Sequence, residues 1–212
     1  MLRVVPLGSA ALDAEALALA AAALARGELV IFPTDTLYAL GCRALDAAAA
    51  ERVRRVKGRD ESRPLPLVLA ELGQLRGVCP KPPRALEPLA ERFWPGPLTL
   101  VVPAAAAVPE AVTSGSGTVA VRVPALDFAR RLCARAGPLV STSANRTGRP
   151  APSTCEAAVR EVGGSAAVAV DGGEGGSAPS TVVDLTGAAP RLLRAGALPW
   201  ADVEAVLRDV AP

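Results

Sequence analysis

The chain has no histidine. That removes the commonest general base and a favoured metal ligand. It also excludes a Ser-His-Asp triad and any His-based zinc site. Aromatic residues make up only 3%, too few for the stacking platforms that hold single-stranded nucleic acid. With 23 basic and 21 acidic residues the net charge is +2, so charge alone points to neither nucleic acid nor membrane. The four cysteines (Cys42, Cys79, Cys133, Cys155) show no CxxC spacing, which excludes a zinc knuckle and a thioredoxin-type motif. They read as isolated thiols of a reducing cytosol. Neither GxxxxGK[ST] nor GxGxxG opens a helix after a strand, so any ATP here is bound by another scheme. The Ala/Leu run at 16–25 is flanked by Asp13 and Glu15 and closed by Arg26-Gly27. It is far shorter than the ~20 residues of a membrane span, and a cytoplasmic protein is expected.

Scarcity also marks individual residues. The basic residues are almost all arginine, and the only lysines are Lys57 and Lys81. Asn145 is the sole asparagine and Tyr38 the sole tyrosine. In a composition that replaces Lys by Arg wherever either serves, a residue that persists draws attention.

What is present is a large apolar fraction, 50% of 212 residues, enough for the core of one generous domain. Helical spacing is expected over Asp13–Arg26, from Asp46 to Val56, over Arg84–Trp94, over Leu126–Ala136, and from a Ser153 or Thr154 cap to Val162. Apolar strands are expected at 29–32, 37–41, 65–69, 98–102, 119–123, 139–140, 166–170, 181–185 and 191–194. Pro66 places the third of these at an edge or early in its strand. A final helix occupies about 200–210, with Trp200, Val203, Leu207 and Val210 on one face. Helices and strands alternate without a repeat or linker, which gives a single α/β domain over 1–212. Several strand pairs are joined too briefly for helical crossovers, so a twisted, mixed parallel and antiparallel sheet flanked by helices is expected.

Polar clusters sit at the strand ends, where open α/β sheets place ligands. Thr34-Asp35-Thr36 with Tyr38 is one, a turn or a site. Lys57, Arg59 and Arg63 form a second; three cations in seven residues suit a solvated helix end or a polyphosphate clamp. Ser141 to Asn145 follows an apolar run directly and reads as an ST- or Asx-turn or as a ligand cradle. Ser180-Thr181 with Arg194 is the last. Arg122 stands inside Val119-Ala120-Val121-Arg122-Val123, where a charge is costly unless paired; Asp35 or a ligand carboxylate would pair it. Trp94-Pro95-Gly96-Pro97 reads as architectural, as does the glycine-rich 171–176 loop unless it acts as a lid.

Taken in order, PTDTLYALGC (33–42), KGRDESRPL (57–65), WPGPLTLVV (94–102), TVAVRVP (118–124), STSANRTGRPAPS (141–153), STVVDLTG (180–187) and LLRAG (192–196) resemble the threonylcarbamoyl-AMP synthases, the YrdC-like domain. The resemblance spans about 29–196. It implies a concave basic face and the conversion of L-threonine, bicarbonate and ATP to threonylcarbamoyl-AMP and pyrophosphate. It further implies hand-off to a tRNA threonylcarbamoyl-transfer complex for modification at tRNA position 37, and weak tRNA contact. Catalytic roles fall on Lys57, Arg59, Ser143 and Asn145. ATP contacts fall on Lys57, Arg59, Arg63, Thr118, Asn145, Ser153 and Arg194, with Mg²⁺ accompanying the nucleotide and no metal held by the protein itself. Threonine contacts fall on Thr36, Arg122, Ser143 and Ser180. Ala39 departs from the family's usual glycine, and Val68 from a histidine of some members. The chain resembles the short, single-domain type. Two other readings stand beside this one: an RNA-binding module with a basic concave face, and a carbamoyl-adenylate-forming enzyme of the hydrogenase-maturation type.

Overall fold

The first strand of the protein, β1 (Arg3–Pro6), is one that the sequence pattern does not announce. A computed structural model describes residues 1–58, 63–176 and 178–208. After β1 come α1 (Ala10–Ala25), β2 (Val30–Phe32), β3 (Ala39–Gly41), α2 (Ala47–Lys57), β4 (Leu67–Val68), α3 (Leu86–Phe93), β5 (Leu98–Pro103), α4 (Glu110–Thr113) and β6 (Thr118–Arg122). The chain continues through α5 (Asp127–Ala136), β7 (Leu139–Val140), β8 (Thr142–Ser143), α6 (Cys155–Val162), β9 (Val168–Asp171), β10 (Thr181–Asp184), β11 (Arg191–Arg194) and α7 (Trp200–Arg208). Val210, expected on the face of the last helix, lies outside the described residues.

Side chains start the helices where the sequence offers them. Ser9 accepts from the Leu12 N–H at 3.3 Å and so begins α1 three residues before its expected start. Asp46 accepts from Ala49 at 2.9 Å and Thr154 from Ala157 at 3.2 Å, capping α2 and α6 as expected. Each such cap satisfies a donor that the helix itself leaves unpaired, worth about 1 kcal/mol.

The mixed α/β class is observed, but the strands divide between two sheets rather than one. Sheet one runs β1-β9-β2-β3-β8; sheet two runs β11-β10-β5-β6-β4-β7. Both mix parallel and antiparallel neighbours. The two are sewn together where β3 runs on past its end: the Val140 N–H donates to Cys42 O and the Ala44 N–H to Pro138 O, both at 2.9 Å. Gly41 permits this approach, since a Cβ there would lie 2.3 Å from the Val140 carbonyl oxygen. Pro66 stands immediately before β4, which pairs with β6 on one side and β7 on the other. The proline is therefore early in its strand, not on an edge. Ala39 is buried in β3, and among the described residues Ser114 is the only non-glycine with positive φ. Its methyl group costs the backbone nothing.

Alternation along sheet two makes the site. Leu98, Leu100, Val102, Val119, Val121 and Val183 are wholly buried on one face. On the other face lie Thr99, Val101, Thr118, Ala120, Arg122 and Val182, mostly small and, apart from Thr99 and Arg122, half-buried. Side chains on successive strand residues point to opposite faces, so one face builds the core and the other is left as an open floor. A separate core under sheet one packs the alanines of α1 (Ala16, Ala20, Ala23) against Phe32, Phe128 and Leu132.

Candidate active site

The open floor of sheet two is bounded on one side by the turn after β2. Thr34 shapes that turn: its hydroxyl takes the N–H groups of Thr36 and Leu37, both at 3.2 Å, and donates to Leu37 O at 2.7 Å. Arg122 projects from the end of β6 beneath it and is 6% exposed. Its Nε donates to Gly96 O at 2.9 Å and its Nη1 to Thr36 Oγ1 at 2.8 Å, while Nη2 is ion-paired with Asp35. Burial lowers the Arg122 pKa, and the Asp35 carboxylate works against that fall. Of a guanidinium's several N–H donors, three are thus spoken for; further N–H groups are left for a ligand.

Across the floor, the Ser180 hydroxyl is 2.7 Å from Thr99 Oγ1. Arg194 on β11 reaches back to it: Nη2 donates to Ser180 O at 2.8 Å and to Ser180 Oγ at 3.1 Å. Burial lowers the Arg194 pKa as well. Thr36, Arg122, Ser143, Ser180 and Arg194 all line one cleft of about 530 Å³, a volume suited to a small-molecule ligand. The four residues expected near threonine therefore converge, joined by one of those expected near ATP.

The Ser141–Asn145 stretch is where the chain crosses between sheets. Leu139 and Val140 pair with β4, and Thr142 and Ser143 pair with β3. Part of what reads as a loop is therefore strand. Lys57, the last residue of α2, is 3% exposed. Its ammonium donates to Ser143 O at 2.5 Å and to Asn145 Oδ1 at 3.1 Å, with Ser143 Oγ at 3.4 Å. An ammonium has only donors, so it fixes which end of the Asn145 amide faces it. The other end, Nδ2, donates to Arg149 O at 2.6 Å and Arg146 O at 3.2 Å. Lys57 thus holds the crossing from behind. It does not line the cleft but a second groove, beside Arg55 and Arg146.

The remaining ATP-side residues are spread out. Thr118 lies on the same face as Ala120 and Arg122, at the far end of β6 and so ~13 Å from Arg122 by strand rise. Its hydroxyl is 2.9 Å from Ser116 Oγ. Arg63 is exposed, and its carbonyl accepts from Arg54 Nη2 at 3.2 Å. Buried Arg54 also holds Ala111 O at 2.6 Å and the Ser114 hydroxyl. Ser153 contributes its carbonyl, which accepts from Gly175 at 2.7 Å. Arg59 lies outside the described residues. Sequence reasoning missed Thr99 and Arg54: the first is one threonine in an apolar strand, the second one arginine in a basic helix end, and neither is distinguishable before the strands are assembled.

The Sua5_yciO_yrdC family model, described as "Telomere recombination", matches residues 22–196. The chain belongs to this family. A threonylcarbamoyl-AMP synthase of Pyrococcus abyssi is 41% identical over 194 residues, 91% of this chain and 57% of that protein. One from Bacillus subtilis is 38% identical, over 92% of this chain and 57% of that protein. The chain thus spans little more than half the length of these relatives. The crystal structure of P. abyssi Sua5 complexed with L-threonine superposes with a TM-score of 0.91 at 38% identity, covering 99% of this chain and 62% of that one. The family match takes in nearly all of the ordered motifs, and the superposition extends this fold to the P. abyssi protein. Among the described residues no helix is long and apolar enough to cross a membrane.

Proposed function

We propose that this member of the Sua5/YciO/YrdC family is an L-threonylcarbamoyladenylate synthase of the cytoplasm, a nucleotidyltransferase that takes L-threonine, bicarbonate and ATP. The observation that carries the reading is the convergence of Thr36, Arg122, Ser143, Ser180 and Arg194 on one cleft. Arg122, already anchored by Asp35 and Thr36, turns its remaining N–H groups to the threonine carboxylate. The hydroxyls of Thr36, Ser143 and Ser180 meet the polar groups of the amino acid. Arg194, with Arg59, Arg63, Thr118 and Ser153, takes the nucleotide, its triphosphate lying along the open floor.

The reaction needs no side-chain nucleophile, which suits a chain without histidine. The threonine amine attacks the carbon supplied by bicarbonate; an N–C bond forms and water leaves, giving a carbamate. A carbamate oxygen then attacks the α-phosphorus. The bond from that phosphorus to the bridging oxygen breaks, and pyrophosphate departs. Catalysis is alignment and neutralisation of phosphate charge. Lys57 and Asn145 contribute by fixing Ser143. Among the described residues there is no cluster of three or more Cys, Asp or Glu that would hold a metal ion. Mg²⁺ enters as part of the ATP substrate.

The mixed anhydride so formed is consumed by a transfer to tRNA, at position 37 in this reading, through partner proteins and weak contact with the tRNA itself. Formation of a labelled adenylate from labelled bicarbonate, dependent on threonine, tests the proposal.

A further inference from the structure

Tyr38 is the only tyrosine in the chain and is wholly buried. Its backbone already ties two parts of the site: the N–H donates to Pro152 O at 3.1 Å, and the carbonyl accepts from Ala144 at 2.9 Å. Its side chain reaches a third. The hydroxyl donates to Gly173 O at 2.7 Å and accepts from the Gly172 N–H at 3.0 Å, with Asp171 Oδ1 at 3.4 Å. These bonds gather the start of the glycine-rich loop 171–176.

The end of that loop lies flat on the turn that carries Thr36. A Cβ on Gly176 would stand 2.6 Å from Asp35 O and 2.7 Å from Thr36 O, so only glycine fits there without displacing the turn. Asp35 and Thr36 are in turn the partners of Arg122. A loop with four glycines among six residues loses much conformational entropy when it is ordered. The Tyr38 bonds hold its start, and near its end the Gly175 N–H donates to Ser153 O at 2.7 Å.

We propose that the Tyr38 hydroxyl is a positioning latch, which holds the glycine-rich loop against the Asp35–Thr36 turn and so sets the Arg122 side of the cleft. The consequence for threonine rests on the function proposed above; the latch itself does not. Tyr38 touches no reacting atom in this account. It acts through the loop and Thr36.

Tyr38→Phe removes a single oxygen atom and tests this. The KM for threonine should rise roughly threefold to tenfold, the worth of one hydrogen bond, while kcat and the KM for ATP change by less than about twofold. Amide exchange at Gly172, Gly173, Thr36 and Leu37 should speed up together. Gly176→Ala, which pushes the same loop from its other end, should give the same split, and the double variant should add little to either alone. Faster exchange with an unchanged threonine KM would reduce Tyr38 to a structural contact and overturn the positioning role. Unchanged exchange in Tyr38→Phe would overturn the latch whatever the substrate. A wild-type protein indifferent to threonine would instead defeat the proposed function, and the exchange measurement separates the two failures.

Discussion

Lys57 and Asn145 are 88 residues apart in sequence, and the ammonium of one sits 3.1 Å from the amide oxygen of the other. One of two lysines thus meets the sole asparagine, and their bond, with that to Ser143 O, pins the crossing between the two sheets to the end of α2. A solvated helix end would leave this lysine in water. Here it is inside the protein and organises a wall of the cleft.

Removing that side chain should therefore be felt by the fold as well as by the chemistry. Lys57→Met should lower the unfolding free energy by about 1–3 kcal/mol, because the acceptors it served stay buried without it. It should also abolish threonine-dependent pyrophosphate release. Lys57→Arg should not rescue activity, since a planar fork cannot replace a compact ammonium among these acceptors. Urea unfolding beside a pyrophosphate assay reads both effects. Lost activity with unaltered stability would return Lys57 to the role of a free phosphate ligand.

Asp35 and Arg122 make an internal charge pair of the site, with side chains 17% and 8% exposed. Truncating one partner strands the other. Asp35→Ala should cost about 3–5 kcal/mol, and Asp35→Ala with Arg122→Met should cost less than Asp35→Ala alone. A double-mutant cycle measured in denaturant checks the sign of the coupling. Additive effects would mean that the pair does not hold the turn.

The thiols give a pH dependence. Burial pushes Cys42 and Cys133 up to about 12 and Cys155 up to about 11; the nearby Asp46 carboxylate adds to the shift at Cys42. Folded values raised above the ordinary thiol value near 9 favour the neutral form. The stability they contribute is whole below pH 9 and is lost as pH rises from there through 11–12. Each thiol should forfeit about 1.4 kcal/mol per pH unit above its unfolded value. Urea midpoints should fall between pH 9 and 11, and the native protein at pH 8 should not react with an aromatic disulfide reagent. Rapid labelling of the native state would contradict this burial.

Much of the fold was legible where the pattern is local. Asp46 and Thr154 announce their helices, and Leu98–Val102 its strand, because a cap or an alternation lies within a few residues. The division into two sheets was not, since partnership between distant strands leaves no local mark. Nor was β8: two residues paired to β3 show no period, so Thr142-Ser143 read as loop. α4, four residues long, was hidden for the same reason. For the site, the resemblance singled out Thr36, Arg122, Ser143 and Ser180, and these four line one cleft. The inward aim of Lys57 was hidden, because a cation beside other cations looks the same whether it faces water or a buried amide.

On the proposed function, the hydroxyl-lined cleft predicts selectivity for the amino acid. Valine, which matches threonine in shape but lacks the hydroxyl, should be used far less well, by about 10⁴-fold or more if that hydroxyl is bonded to buried groups. Relative kcat/KM values for threonine, serine and valine check this. Equal use of valine would mean that Thr36, Ser143 and Ser180 do not read the side chain.

The most direct test of the account is to incubate the purified chain with ATP, Mg²⁺, L-threonine and ¹⁴C-bicarbonate, and to separate the products. The cleft described here predicts a labelled threonylcarbamoyl adenylate and pyrophosphate in equal amounts, both vanishing when threonine is omitted and both lost in Arg122→Ala. Pyrophosphate release that ignores threonine, or the absence of any labelled adenylate from active, folded protein, would contradict it.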